Sequence, residues 1–480
     1  MVPANLNEPT DMNLPASFEH TMRNLLGEGY EAFREALLGE PAVSIRLNPA
    51  KWHEVVSYEP VPWATHAYYL QERPAFTFDP LFHGGCYYVQ EASSMFVERA
   101  VKQHLGEARV ALDLCAAPGG KSTLLRSLLP DDCVLVSNEV MRPRAQVLAE
   151  NITKWGHERC VVTSNYPADF TPLGEVFDLV LVDAPCSGEG MFRKDEVAVA
   201  EWSPENVEVC WKRQRDILTD IWPTLRPGAL LIYSTCTFNT EEDEENVRWM
   251  VNELGAELLP VTTDESWGIT PSLVPGVEHA YRFLPGRTRG EGFFLAVLRK
   301  GGEPSAHQVV VPNGTTRRKS ADKKAKGKQP VQAVPAACKA WLKGDAYIYK
   351  VVGEEVMAMP ADMEPLVEML AARLHLVHWG IPLATLKGRD AIPAHALAMS
   401  TALSTEAFAM CEIPYADALR YLHREAVTLA ADAPRGFVIV TYRGIPLGFV
   451  KNLGNRANNL YPNEWRIRSG HFPEEVVSVV

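Results

Sequence analysis

Between Arg109 and about Lys300, short apolar runs alternate with amphipathic stretches. RVALDLCAA, CVLVSNE, CVVTSN, FDLVLVDAP and GALLIYSTC are aliphatic or β-branched almost throughout. Such runs predict strands buried on both faces, as in a parallel sheet. Between them RPRAQVLAENITKWG reads as a helix, with Pro143 in its first turn and Gly156 at its end. SPENVEVCWKRQRDILTDIW reads as another, with Ser203 as N-cap and Pro204 behind it. The alternation predicts a doubly wound, mostly parallel α/β domain, whose ligands lie beyond the carboxyl ends of the strands.

The flanks have a different texture. Residues 1 to about 80 hold a helical region and the segment VSIRLNPAKW. Gly301 to Ala337 lacks periodicity, is rich in Gly, Pro and Lys, and reads as a linker. Its RRKSADKKAKGK run, seven basic residues and one acid, fits a solvated tether or a nucleic-acid contact. An α+β stretch follows, and then FVIVTYRGIPLGFVKNLGNRANNLYP, where a hairpin should turn near Tyr442 to Pro446. The expected division is 1–80, 81–300, 301–337, 338–420 and 421–480.

With 480 residues, 46% of them hydrophobic, the chain exceeds one ordinary core and has ample apolar surface to bury. No apolar run approaches the ~18 residues that cross a bilayer. The start, MVPANLNEPTDMNLP, lacks the pattern of a signal peptide, so a cytoplasmic protein without a membrane partner is expected. Nine cysteines occur without a C-x-x-C pair or a Cys/His cluster, so neither a disulfide framework nor a metal is indicated. The net charge of -13 argues against a uniformly basic surface but leaves room for local basic patches.

DLCAAPGGKS, Asp113 to Ser122, follows one strand and opens a helix, so Gly119 and Gly120 let backbone approach a ligand. A triphosphate loop would need its first glycine at Cys115, and that match fails. The other candidate is S-adenosylmethionine, held by a glycine loop after the first strand and by an acid at the end of the second. Glu139, closing CVLVSNE, is that acid; its alternative role is to cap the following helix.

The strand FDLVLVDAP ends at Asp183, with Cys186 three residues later, and the neighbouring strand ends at Cys236. Carboxyl ends of parallel strands lie side by side, so both thiols and the carboxylate should border one pocket. Carbon 5 of cytosine becomes nucleophilic once a thiolate adds to carbon 6. Asp183 could then donate to ring nitrogen 3, given a pKa raised by a dry pocket. A second acid/base group would assist release of the thiol. The chemistry alone leaves open which cysteine attacks. The acids of TFNTEEDEEN read as a solvated helix start.

Five motifs, R-L-N-x-x-K (Arg46, Asn48, Lys51), YVQEASSM, CAAPGGKS, DAPCSGEGMFRKD and YSTCT, occur in order across residues 40 to 300. In them the chain resembles the Sun-type RNA cytosine-5 methyltransferases, and within these the RsmF type that modifies small-subunit ribosomal RNA. The resemblance implies a Rossmann-like core that uses S-adenosylmethionine to methylate carbon 5 of a cytosine in RNA, with 16S rRNA or the assembled 30S subunit as substrate. It implies Cys236 as nucleophile and Cys186 in release, whereas DNA cytosine methyltransferases attack from a P-C motif, which would exchange the roles. It places Cys115, Ala116, Ala117, Pro118, Gly119, Gly120, Lys121, Glu139 and Asp183 at the cofactor. Where many relatives end the third strand in an aspartate that contacts adenine, this chain has Asn165, whose side-chain carbonyl can still accept from the adenine amino group.

Arg46, Asn48 and Lys51 are candidates to grip phosphates, and Arg282, Arg287 and Arg289 form a basic patch before the last strand. GIPLGFVKNLGNRANNLYPNEWRIR resembles the PUA-like domain of RsmF-type enzymes, which implies RNA contacts from Lys451, Arg456, Arg466 and Arg468; the alternative is a structural cap. His375 and His378 read as structural. The expected molecule is a monomer that binds RNA and not DNA. Transfer RNA as substrate, and a catalytically idle RNA-binding assembly factor, stand as alternatives; the presence of both cysteines argues against the second.

Overall fold

The five apolar runs form strands Val110–Asp113, Val134–Asn138, Cys160–Thr163, Phe177–Asp183 and Leu225–Thr235 in the computed structural model, which describes residues 14–302, 333–388 and 390–480. Residues 303–332, with the whole RRKSADKKAKGK run of the expected linker, lie outside the described residues. All five strands are parallel, with the first between the second and the fourth. Chain order reverses there, and a crevice opens at such a point. Alternate residues bury on opposite faces, Leu112, Val136 and Val180 in one core and Ala111, Leu135 and Leu179 in the other.

The helices form where their caps predicted. Ser203 accepts the N–H of Asn206 at 3.1 Å ahead of helix Pro204–Ile221. Helix Arg142–Trp155 stops at Gly156, whose φ of +94° suits only a residue without Cβ.

The sheet is mixed where a mostly parallel one was expected. Phe293–Arg299 pairs antiparallel with Leu225–Thr235, and Ala280–Phe283 with Phe293–Arg299. On the far edge, Leu376–Trp379 pairs antiparallel with Cys160–Thr163. That strand belongs to the segment read as a separate domain, 338–420. It satisfies backbone groups that an edge would leave open, and His378 lies in it.

Helices Ala16–Leu26 and Tyr30–Leu37 pack Phe18, Met22 and Phe33 against Phe192, Trp202 and Phe238, so the N-terminal region buttresses the loops that follow the site strands. In the C-terminal region, Gly436–Tyr442 and Ile445–Asn452 form the predicted hairpin, turning at Arg443 and Gly444, both with positive φ. Among the described residues no helix is long and apolar enough to cross a membrane.

Candidate active site

Asp183 closes its strand opposite Ser234 in the next one. The Ser234 hydroxyl donates to Oδ1 at 2.8 Å, and the Lys121 ammonium, from the first turn of helix Gly120–Leu128, donates to Oδ2 at 2.8 Å. Both carboxylate oxygens accept. The group placed to donate into the crevice is therefore Lys121, in place of the donating Asp183 carboxyl expected from sequence. Burial opposes the lysine charge, but Asp183, Cys236 and Asp113 outweigh it and hold the ammonium above its ordinary pKa. Nζ also lies 5.2 Å from the centre of the Phe293 ring.

The Sγ atoms of Cys186 and Cys236 are 3.2 Å apart. The hydrogen bond with Cys236, together with burial and the nearby charge of Glu242, pushes the Cys186 thiol well above its ordinary value. Three of the five acids read as a solvated helix start are instead buried, Glu242, Asp243 and Glu244 being each 0% exposed, while Glu241 is exposed and Glu245 half-buried. Asp243 accepts from the Thr235 hydroxyl and forms an ion pair with Arg282, and Glu244 pairs with Arg282 as well. Arg282 is thus an interior ion-pair partner and no part of a surface patch, while Arg287 and Arg289 are exposed. Nothing in the spacing of TFNTEEDEEN announced burial, because its partners come from distant strands and loops.

Cys236, Asp183 and Lys121 line one cavity of about 340 Å³ with Cys115, Ala116, Ala117, Pro118 and Gly120. The loop fits a nucleoside that must meet bare backbone. Gly119 has φ +119°, and a Cβ added there would stand 3.2 Å from Leu148; one on Gly120 would stand 3.3 Å from Tyr88. Asp183 sets a carboxylate in the same cavity. Glu139 is buried one residue past Asn138, whose carbonyl accepts the N–H of Ala116 at 2.8 Å. Its Oε1 accepts the Met141 N–H at 2.9 Å and Arg144 stands 3.4 Å from Oε2; helix Arg142–Trp155 has no side-chain cap, so the capping alternative is not realised and acceptor capacity remains.

Asn165 is engaged from the C-terminal side. Its Oδ1 accepts the His375 N–H at 2.9 Å and its Nδ2 donates to Asp169 at 3.3 Å. An aspartate here would set a second carboxylate against Asp169, which gives the departure from the common pattern a local cause. Cys236 and Asp183 line the cavity but Cys186 does not, although both thiols were expected at one pocket, and neither Glu139 nor Asn165 lines it.

Of the expected phosphate-gripping trio, Arg46 and Asn48 are buried and Lys51 is half-buried with its ammonium on backbone carbonyls, so that reading is corrected. Arg46 is 2% exposed; it donates to Gln90 at 2.8 Å, Thr123 at 2.6 Å and the Gly120 carbonyl at 3.2 Å, and lies 4.4 Å over Trp155. Asn48 donates to the carbonyls of Gly85 and Trp155, each at 3.0 Å. Lys51 donates to Gly84 and Lys154 carbonyls, and burial lowers its pKa to about 8. These residues tie the N-terminal sheet to the cofactor-loop helix and its neighbour. In the C-terminal region Arg456, Arg466 and Arg468 are exposed, and Lys451 lies 5.3 Å over Phe437. Sequence reasoning missed the two buried carboxylates around the thiols, Glu189 and Glu242; the only signal was an acid set among small and apolar residues in SGEGMF.

Comparison with known proteins agrees with this architecture. The profile of 16S rRNA methyltransferase RsmB/F matches residues 101–299, that of the N-terminal domain of 16S rRNA methyltransferase RsmF matches 14–92, and that of the methyltransferase RsmF PUA domain matches 410–467. The ribosomal RNA small subunit methyltransferase F of Klebsiella pneumoniae (strain 342) is 31% identical over 418 residues, 84% of each chain. That of Enterobacter sp. (strain 638) is 29% identical over 443 residues, 89% of this chain and 87% of the relative. Among solved structures, a methyltransferase homolog protein from Pyrococcus horikoshii superposes with a TM-score of 0.52 at 27% identity, covering 60% of this chain and 96% of that one.

Proposed function

The chain belongs to the family of 16S rRNA methyltransferases RsmB/F, and from that premise we propose that it methylates carbon 5 of a cytosine in small-subunit ribosomal RNA through a covalent adduct on Cys236. The observation that carries this reading is the pair of sulfurs 3.2 Å apart, with Cys236 in the cavity that also holds Asp183 and Lys121. One sulfur bonds to carbon 6 while its neighbour handles the proton.

The local field supports Cys236 as the attacking sulfur. Negative charge on Cys236 faces the Lys121 ammonium, whereas negative charge on Cys186 faces the Glu242 carboxylate. The asymmetry favours Cys236. As its sulfur adds to carbon 6, Lys121, oriented by Asp183, hydrogen-bonds the ring edge and draws electron density away. S-adenosylmethionine, when bound, supplies the electrophilic methyl group. Cys186 then gives its proton to the departing Cys236 sulfur and takes up the proton lost from carbon 5, whose bonding electrons re-form the ring double bond as the carbon–sulfur bond breaks. The cofactor would be held by the backbone of Cys115 to Lys121, with Glu139 as acceptor for ribose hydroxyls. Exposed Arg456 and Arg466, in the part matching the RsmF PUA domain, and Arg468 just past it, are proposed to hold the RNA while the base is swung out.

Methyl transfer to ribosomal subunits, free rRNA and tRNA separates the substrates. Cys236→Ala should abolish transfer, and Cys186→Ala should accumulate a denaturation-resistant protein-RNA adduct. The opposite pattern would exchange the two roles, and transfer to tRNA alone would overturn the substrate.

A further inference from the structure

Two buried carboxylates bracket the thiols, and each belongs to one cysteine loop but binds the other. Glu189, three residues past Cys186, accepts from the Thr237 hydroxyl at 2.7 Å, the Phe238 N–H at 2.7 Å and the Asn239 N–H at 2.9 Å, which are the residues directly after Cys236. Glu242, six residues past Cys236, accepts the N–H of Ser187, directly after Cys186, at 3.0 Å. Gln214 and Asn239 also donate to Glu242, at 2.7 and 2.8 Å. Side-chain hydroxyls of Ser187 and Thr237 meet at 3.1 Å, and the Gly190 N–H reaches the Cys236 carbonyl at 2.9 Å. Glu189 is 2% exposed and Glu242 0%.

Burying a carboxylate is costly unless donors surround it. Here the donors are largely the cysteine loops themselves, so each acid fixes the backbone that carries the opposite sulfur. We infer that Glu189 and Glu242 are positioning residues that hold the two sulfurs in register. The Cys236 contact, burial and the nearby Glu242 charge together hold the Cys186 thiol above its ordinary value. This inference rests on the covalent mechanism proposed above for its consequence in turnover, but not for its geometry. Gly190 belongs to the same device: a Cβ there would stand 2.8 Å from the Cys236 carbonyl and 2.9 Å from that of Gly292, so this close approach of the two loops needs glycine.

Glutamine and aspartate substitutions separate charge from reach. Glu242→Gln removes the charge and turns an amide toward existing donors; Glu242→Asp keeps the charge and retracts it. Alkylation of each cysteine by iodoacetamide, followed against pH by peptide mass mapping, reads the sulfurs without RNA or cofactor. In Glu242→Gln the Cys186 profile should move to lower pH, while kcat falls about tenfold or more at little change in KM. In Glu242→Asp the profile should stay while kcat falls. Glu189→Gln should lower kcat without moving the Cys186 profile. Unchanged alkylation and unchanged kcat in Glu242→Gln would overturn the inference; should that variant fail to fold, an unimpaired Glu242→Asp enzyme would do the same. Failure of the wild-type protein to methylate RNA would instead sink the proposed function and leave the alkylation result standing.

Discussion

The guanidinium of Arg46 donates to the hydroxyl of Thr123 at 2.6 Å, joining a strand of the N-terminal sheet to the helix that opens the cofactor loop. Its contacts with Gln90 and the Gly120 carbonyl complete an interior anchor. Arg46→Met removes the donor from several buried acceptors, so it should cost about 3 kcal/mol. The expected record is a lower denaturant midpoint with the salt dependence of RNA binding unchanged. A phosphate contact would instead reduce the salt slope by about one unit.

Lys121 and Asp183 act as one device, and neither is deeply structural: their side chains are 17% and 32% exposed. Asp183→Asn and Lys121→Gln should each lower kcat by roughly 10²–10³, as expected for loss of a preorganised charge at the reacting ring. Their thermal midpoints should stay near that of the wild type. Because the two groups serve the same contact, the double variant should lose little more than either single one.

Much of the core was legible in sequence, and the reason is local. The strand ending in Asp183, the helix opened by Ser203 and Pro204, and the turn at Arg443 and Gly444 each carry their own signal in apolar run, cap or turn residue. What escaped depends on partners far along the chain. Arg46 looked like surface because its acceptors lie 44 to 77 residues away. Glu242, Asp243 and Glu244 looked solvated because Ser187, Gln214 and Arg282 are brought to them by the sheet. The edge strand Leu376–Trp379 is too short to declare which sheet it joins.

Arg282 and its two acids offer a stability test. Arg282 is 1% exposed and pairs with Asp243 and Glu244, both 0% exposed. Arg282→Met leaves two carboxylates buried without their cation, which should cost about 3–5 kcal/mol. Adding Asp243→Asn and Glu244→Gln should recover much of that loss, because the charges left stranded are then gone. Thermal unfolding of the single and triple variants measures both.

Charge removal at Arg456, Arg466 and Arg468 should behave oppositely to loss of Arg46. All three are exposed, so Gln substitutions should leave stability within about 0.5 kcal/mol. RNA affinity should fall, and its logarithmic salt slope should decrease by about 0.7 for each single-strand phosphate that is no longer neutralised. Binding measured between low and moderate salt decides the matter, and an unchanged slope would assign this surface to a structural cap.

Acid should loosen the seam between the body and the C-terminal region. His395, from the helix His395–Met399, stands edge-on to Tyr461 and Trp465 with ring centres 5.0 and 4.8 Å apart. Its two ring nitrogens are buried, with no hydrogen-bond partner among the described residues. Burial lowers its pKa to about 3, and the charges that face it, Lys154 and Lys51, act in the same direction, as does His83. His83, across the seam on Pro80–His83, meets the Tyr461 hydroxyl at 3.2 Å and is likewise lowered to about 3, by burial and by Lys154. In the unfolded chain both would titrate near 6.5. The native state therefore refuses protons that the unfolded state takes up between about pH 6.5 and 3. The histidine contribution to stability should be flat above about 6.5 and fall below it, by at most about 1.4 kcal/mol per pH unit for each histidine. His395→Phe should shrink that slope while keeping the ring contacts. Thermal midpoints of wild type and variant at pH 7.5 and 5 measure the difference, and parallel losses in the two proteins would acquit His395.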